Sequence, residues 1–137
     1  MPLLRSSVCY TFVVTEQDVI AHWRKGARDE LRSAQLLFEG GQYANALFHC
    51  HLAVEKALKT LFMEKEKKEA PFSHNLLDLA RLLDRTWTPE QEKALDELTD
   101  FVSAARYNDP VWAEHYADEQ HASQWIAWGE DFLSSLL

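Results

Sequence analysis

Residues 42–65, QYANALFHCHLAVEKALKTLFMEK, set the strongest limit on what this chain can become. Leu47, Cys50, Val54, Leu58 and Leu61 recur at gaps of three and four, the spacing of one face of an α-helix. Phe48 and Leu52 fall well outside that stripe, and Ala44, Ala46, Ala53 and Ala57 thin out the polar remainder. A helix apolar around so much of its circumference is buried on more than one side. The segment therefore predicts a central helix with neighbours on several faces, at the middle of a fold and, by extension, of an assembly.

The flanking sequence supplies the neighbours. TEQD opens a first helix near Thr15, with Asp18 closing a capping box. Ile20, Trp23, Ala27, Leu31, Ala34 and Phe38 then mark one face, and Gly40–Gly41 stops it. After the charged EKEKKE, Pro71 blocks continuation, and a shorter helix is expected from about Asn75 to Asp84 with Leu76, Leu79, Ala80 and Leu83 inward. TPEQ starts another, with Thr88 as cap, Pro89 at the first helical position and Gln91 closing the box. Its stripe is Leu95, Leu98, Phe101, Val102 and Ala105, and Pro110 ends it by about Asn108. NDPVWAEHYADEQ reads as an irregular acidic stretch. A last helix from about Asp118 to Leu136 carries Ala122, Ile126, Gly129, Leu133 and Leu136, with Trp125, Trp128 and Phe132 alongside. The expected fold is all-α, an up-and-down bundle of four to five helices with short connections.

The 137 residues suffice for one domain, and only four Gly and four Pro suit long helices better than many short strands. Residues 1–15 are set apart as an extension. Within it VCYTFVV is β-branched and aromatic, as strands are, and is expected to pack along the bundle or pair with its copy in a second subunit. Residues 16–137 form the helical domain. The uncharged run Ser6–Thr15 is too short to span a bilayer and lacks a small-residue cleavage pattern, so neither membrane insertion nor a signal peptide is expected. Cys9 and Cys50 make no disulfide framework, which suits a reducing compartment.

The formal net charge of −8 excludes binding to nucleic acid or anionic membrane through overall attraction. Arg24, Lys25, Arg28 and Arg32 form a basic run on the first helix, read as a solvated face, with a patch for RNA or an acidic partner as the alternative. His49 and His51 lie about 200° apart on a helix and cannot grip one metal from the same face. His51 and Glu55 can, but two ligands leave a zinc site half built, so no metal is expected. Cys50 sits on the core stripe as a small hydrophobe. His51, Glu55 and Lys59 make a polar ladder beside the Phe48–Leu52 side, as at the edge of a pocket or interface. They are candidate binding residues. GxxxxGK[ST], GxGxxG and CxxC are all missing, and no cofactor is expected.

The order ARDELRSAQLLFEGGQYANALFHCHLAVEKALKTLF, FSHNLLDLARLL and ARYND resembles the HEPN family, over roughly Trp23 to Leu137. The resemblance implies a helical bundle, usually homodimeric and cytoplasmic, often paired with a minimal nucleotidyltransferase in toxin–antitoxin couples. Some members are metal-independent endoribonucleases. Others are binding modules for which nucleotide binding has been proposed. The ribonuclease members carry an Arg followed closely by a His that meet their symmetry mates across the dimer. Here Arg106 is followed by His115 with eight residues between them, Pro110 included, which departs from that spacing. Arg106 and His115 are the catalytic candidates, against a simpler role for Arg106 in capping helix-end carbonyls and pairing with Asp109 or Glu114. Tyr107 in ARYND, Trp112 and Tyr116 are further binding candidates. Trp112 can stack on a base or plug the bundle end. The favoured expectation is a homodimeric binding and assembly module working with a nucleotidyltransferase partner, with nucleotide as a possible ligand. The alternative is a ribonuclease toxin acting on RNA through Arg106 and His115.

Overall fold

A computed structural model describes residues 14–137. Residues 1–13, and with them the expected strand, lie outside the described residues. Six helices follow in order: α1 (Glu16–Glu39), α2 (Tyr43–Glu66), α3 (Leu76–Arg81), α4 (Pro89–Arg106), α5 (Pro110–Tyr116) and α6 (Glu119–Leu136). The described residues form an all-α bundle, as expected.

The helix starts follow from local hydrogen bonding. The Thr15–Asp18 capping box opens α1, and the Thr88–Gln91 box opens α4 with Pro89 just inside it. Each box answers two backbone N–H groups that a helix start leaves without partners. Gly40 caps α1, and Gly41 turns the chain with φ of 77°, a backbone region open to glycine. The turn makes α1 and α2 an antiparallel hairpin. Glu30 meets His49 and Lys56, while Arg24 meets Glu64, so positions fall along α1 as they rise along α2.

One expectation fails between α4 and α6. Residues 110–116, expected to be irregular, form α5. Asp109 accepts from the N–H groups of Val111 and Trp112, and Pro110 takes the first helical position. The same kind of signal opens α4 at Thr88–Pro89, so Pro110 is a helix start as well as a helix stop. Asn108 makes the sharp turn between the helices at φ of 54°, a region asparagine tolerates better than most residues.

α2 is the centre, packed against α1, α3, α4 and α6. Its buried residues lie on every side and include Leu47, Cys50, Val54, Leu58 and Phe62. Ala27 and Ala34 of α1 and Ala46, Ala53 and Ala57 of α2 are wholly buried, and side chains this small let the helices approach closely. α6 crosses α2 at Gly129, where an added Cβ would sit 3.1 Å from the Cys50 sulfur. The Cys50 thiol donates to the Trp125 carbonyl, and burial pushes its pKa up to about 12, so it is an inert core group.

Two glycines in helices should respond with opposite sign. Gly129→Leu should cost about 2 kcal/mol, because the crossing has no room to repack. Gly26→Ala should gain about 0.5–1 kcal/mol, because its Cβ meets only the flexible Lys56 side chain. Urea unfolding followed by circular dichroism checks both.

Candidate functional site

Burying α2 on so many sides buries its polar ladder too. His51 is 0% exposed, and Glu55 and Lys59 are each 6% exposed. His51 and Glu55 are enclosed rather than at an open rim, whereas Lys59 borders a cavity of about 290 Å³ beside Trp23, Met63 and Phe72. The chain after α2 folds back over them and brings in His74. The His74 Nδ1–H donates to Glu55 Oε1 at 2.8 Å, and Lys59 Nζ donates to Glu55 Oε2 at 3.1 Å. His51 donates from Nε2 to the His74 carbonyl at 3.1 Å. Lys59 also lies 6.0 Å from the centre of the Trp23 ring, within cation–π range. A buried carboxylate thus has a cation on one oxygen and an imidazole on the other.

His51 Nδ1 has no hydrogen-bond partner among the described residues, although Glu55 Oε1 lies 3.9 Å away. Burial holds this imidazole below its ordinary value of 6.5, against the upward pull of the Glu55 carboxylate. His51 therefore stays neutral and serves to pin the backbone of His74. His49, on the other side of α2, has a different task. It shares Glu30 with Lys56 across the α1–α2 seam, at 2.6 and 2.8 Å. The two histidines that flank Cys50 belong to separate networks.

The side chain of His74 is 44% exposed and lines a cavity of about 310 Å³ between the α2–α3 loop and the C-terminal half of α4. Asn75, Thr99, Asp100, Val102, Ser103, Arg106 and Tyr107 complete the wall. Asn75 caps α3, and Thr99 is engaged with Leu76 N–H and the Leu95 carbonyl, so both hold the wall in place. Arg106 is exposed and makes no ion pair among the described residues, so the expected pairing with Asp109 or Glu114 is not formed. Asp109 instead caps α5. A roomier hollow of about 440 Å³ lies between α1 and α6, where Arg28 and Arg32 of the basic run face Glu130. It has no histidine, and neither Arg28 nor Arg32 makes an ion pair among the described residues; Arg32 and Glu130 both reach Gln35 instead.

The remaining candidates separate. His115 lies on α5, exposed, and is not part of the cavity wall that holds Arg106. Trp112 is not a free loop aromatic. It is 8% exposed, with its ring centre 5.4 Å from that of Phe101, and it plugs the end of the bundle. Stacking on a base is therefore closed to it. Tyr107 is exposed at the cavity mouth, whereas Tyr116 packs against Phe101 and His121. Sequence reasoning gives His74, Thr99 and Ser103 no role. The only signal is the SHNL stretch, whose histidine meets Glu55 across nineteen positions.

The HEPN domain model matches residues 20–136, nearly the whole chain. This protein belongs to the HEPN family. The fold is also similar to the crystal structure of TT1696 from Thermus thermophilus, with a TM-score of 0.72 and 28% identity over 84% of this chain and 93% of that one. No curated protein matches. Among the described residues of this HEPN chain, no helix is long and apolar enough to cross a membrane. No group of three or more His, Cys, Asp or Glu among them is placed to hold a metal ion.

Removing one member of the buried pair should be costly. Glu55→Ala strands the Lys59 charge and should destabilise by about 3–5 kcal/mol, while Glu55→Leu combined with Lys59→Met should recover most of the loss. Urea titrations of the variants decide this. The pH response follows from His51. Because the unfolded chain takes up this proton at higher pH than the folded one, stability should fall as pH drops below about 6.5. Melting temperatures between pH 7.5 and 5 should show the decline, and His51→Gln should flatten it.

Proposed function

We propose that this HEPN chain is a homodimeric binding and assembly module whose Arg106 cavity takes the phosphate of a nucleotide, and that it works with a nucleotidyltransferase partner. The observation that carries the reading is an exposed, unpaired Arg106 at the mouth of a cavity that also presents the Ser103 and Tyr107 hydroxyls and His74. A guanidinium free of internal carboxylates is the group that grips phosphate bidentately. Asp100, on the same wall, suits a ribose hydroxyl better than a second phosphate. The cavity therefore fits a ligand with few charges, in keeping with a chain of net charge −8.

The assembly half rests on apolar surface beside that cavity. Of six large hydrophobic residues exposed among the described residues, three fall within residues 107–116: Tyr107 at 77%, Val111 at 63% and Tyr116 at 40%. Exposed apolar residues grouped this way mark contact surfaces, whereas scattered ones do not. Two copies joined here would bring their Arg106 cavities near the seam. The nucleotidyltransferase is the partner that family membership suggests, and the acidic surface is compatible with a basic face on it.

Titration with AMP should show binding by the wild type and roughly tenfold weaker binding by Arg106→Ala, the cost of a charge-assisted hydrogen bond. Light scattering after gel filtration should give a dimer for the wild type and a monomer for Val111→Asp. A wild-type monomer at micromolar concentration overturns the assembly half. Undiminished AMP affinity in Arg106→Ala overturns the binding half.

A further inference from the structure

We propose that the cavity of about 290 Å³ between the first turns of α1, the end of α2 and the loop after it binds a free apolar α-amino acid. Its carboxylate sits on Lys59, its ammonium on Glu69, and its side chain among Trp23, Met63 and Phe72. The site is separate from the Arg106 cavity and does not rest on the reading given to that cavity.

Three observations carry it. First, Lys59 is a buried ammonium that is only partly answered. Its side chain is 8% exposed, yet among the described residues it makes one hydrogen bond, to Glu55 Oε2, although an ammonium carries three N–H donors. Its Nζ lies 6.0 Å from the centre of the Trp23 ring, and Trp23 is part of the cavity wall, so the charged end of Lys59 is on the cavity side. A buried donor without an acceptor is costly, and a carboxylate in the cavity supplies one. Second, the same wall carries Glu69, which is half-buried and makes no ion pair among the described residues. Its neighbour Lys65 is taken by Glu66 and Asp84. Third, the rest of the wall is apolar and includes Phe72, which at 101% is the most exposed large hydrophobic residue among those described. A ring left in water at the edge of an apolar hollow gains by closing on a ligand.

The two charges select the class of ligand. Glu55 already balances Lys59, so an anion alone brings an excess charge and meets Glu69 as well. A cation alone meets Lys59. A zwitterion adds no net charge and gives each group its opposite. A peptide terminus carries only one of the two charges, so a free amino acid fits better than a chain end. The volume is at the small end of the range for ligand pockets, roughly 300–1,000 Å³, which suits a molecule of this size. The groove between α4 and α6 lacks this pair of unanswered charges, because its Lys93 already meets Glu97 at 4.0 Å.

The test is isothermal titration of the full chain with L-phenylalanine and with L-leucine. At least one should bind with a Kd of about 1 mM or tighter. It should bind roughly tenfold more tightly than the acid that lacks its ammonium (hydrocinnamate or isocaproate) and than the amine that lacks its carboxylate (phenethylamine or isoamylamine). Glu69→Gln should erase the preference over the acid and keep the preference over the amine. Glu55→Leu combined with Lys59→Met, which keeps the core filled, should do the reverse. Phe72→Ala should weaken all these ligands alike, by roughly tenfold. Glu69→Gln and Phe72→Ala change side chains outside the core, so they test the site even where the double variant does not fold. A wild type that binds neither amino acid overturns the proposal. So does a wild type that binds the acid or the amine as tightly as the amino acid, or a preference over the acid that survives Glu69→Gln.

Discussion

A carboxylate in the middle of a helix bundle has to be answered by other groups, and much of this structure is arranged around that need. Glu55 is on the helix that every long neighbour packs against, so no water-facing side is left to it. An unpaired charge there would be too costly to keep. Lys59, one turn along the same helix, supplies the opposite charge, with its ammonium also held near the Trp23 ring. His74 arrives from the following loop and takes the second oxygen. The path of that loop is tied to the buried ladder at two atoms of one residue.

The same loop then lines a surface cavity. Once His74 is fixed by its carbonyl and its Nδ1, the chain after it must start α3 at Asn75, and Thr99 of α4 accepts from the first N–H of that helix. α4 is thereby drawn against the loop, and its last turn places Arg106 on the same cavity as His74. The buried ladder and the cavity wall meet at His74. Small residues at the α1–α2 seam and Gly129 at the α6 crossing keep the other helices close enough to seal the ladder.

Much of the fold is legible because its signals are local. The capping boxes at Thr15 and Thr88 and the glycines after Glu39 are short-range chemistry, and the apolar stripes are a simple periodicity. All five residues of the α6 stripe, Ala122, Ile126, Gly129, Leu133 and Leu136, are buried. The unexpected α5 is local too, because Asp109–Pro110 carries both a stop and a start, and the start prevails. The candidate site is less legible. Arg106, Tyr107 and the Glu55 ladder stand out in the sequence, but nothing near Trp112 shows that the bundle end needs an aromatic plug beside Phe101.

The sequence by itself determined that this chain is helical, where most of its helices begin, and that α2 lies at the centre. Those properties depend on residues a few positions apart. Only the tertiary structure decided that His74 closes on Glu55, that Arg106 shares a cavity with His74, and that His115 stays outside that wall. Those pairings join residues nineteen or more positions apart through a loop with no periodicity of its own. Their geometry is set by how helices pack, and by the demand that a buried charge find partners wherever the chain can bring them.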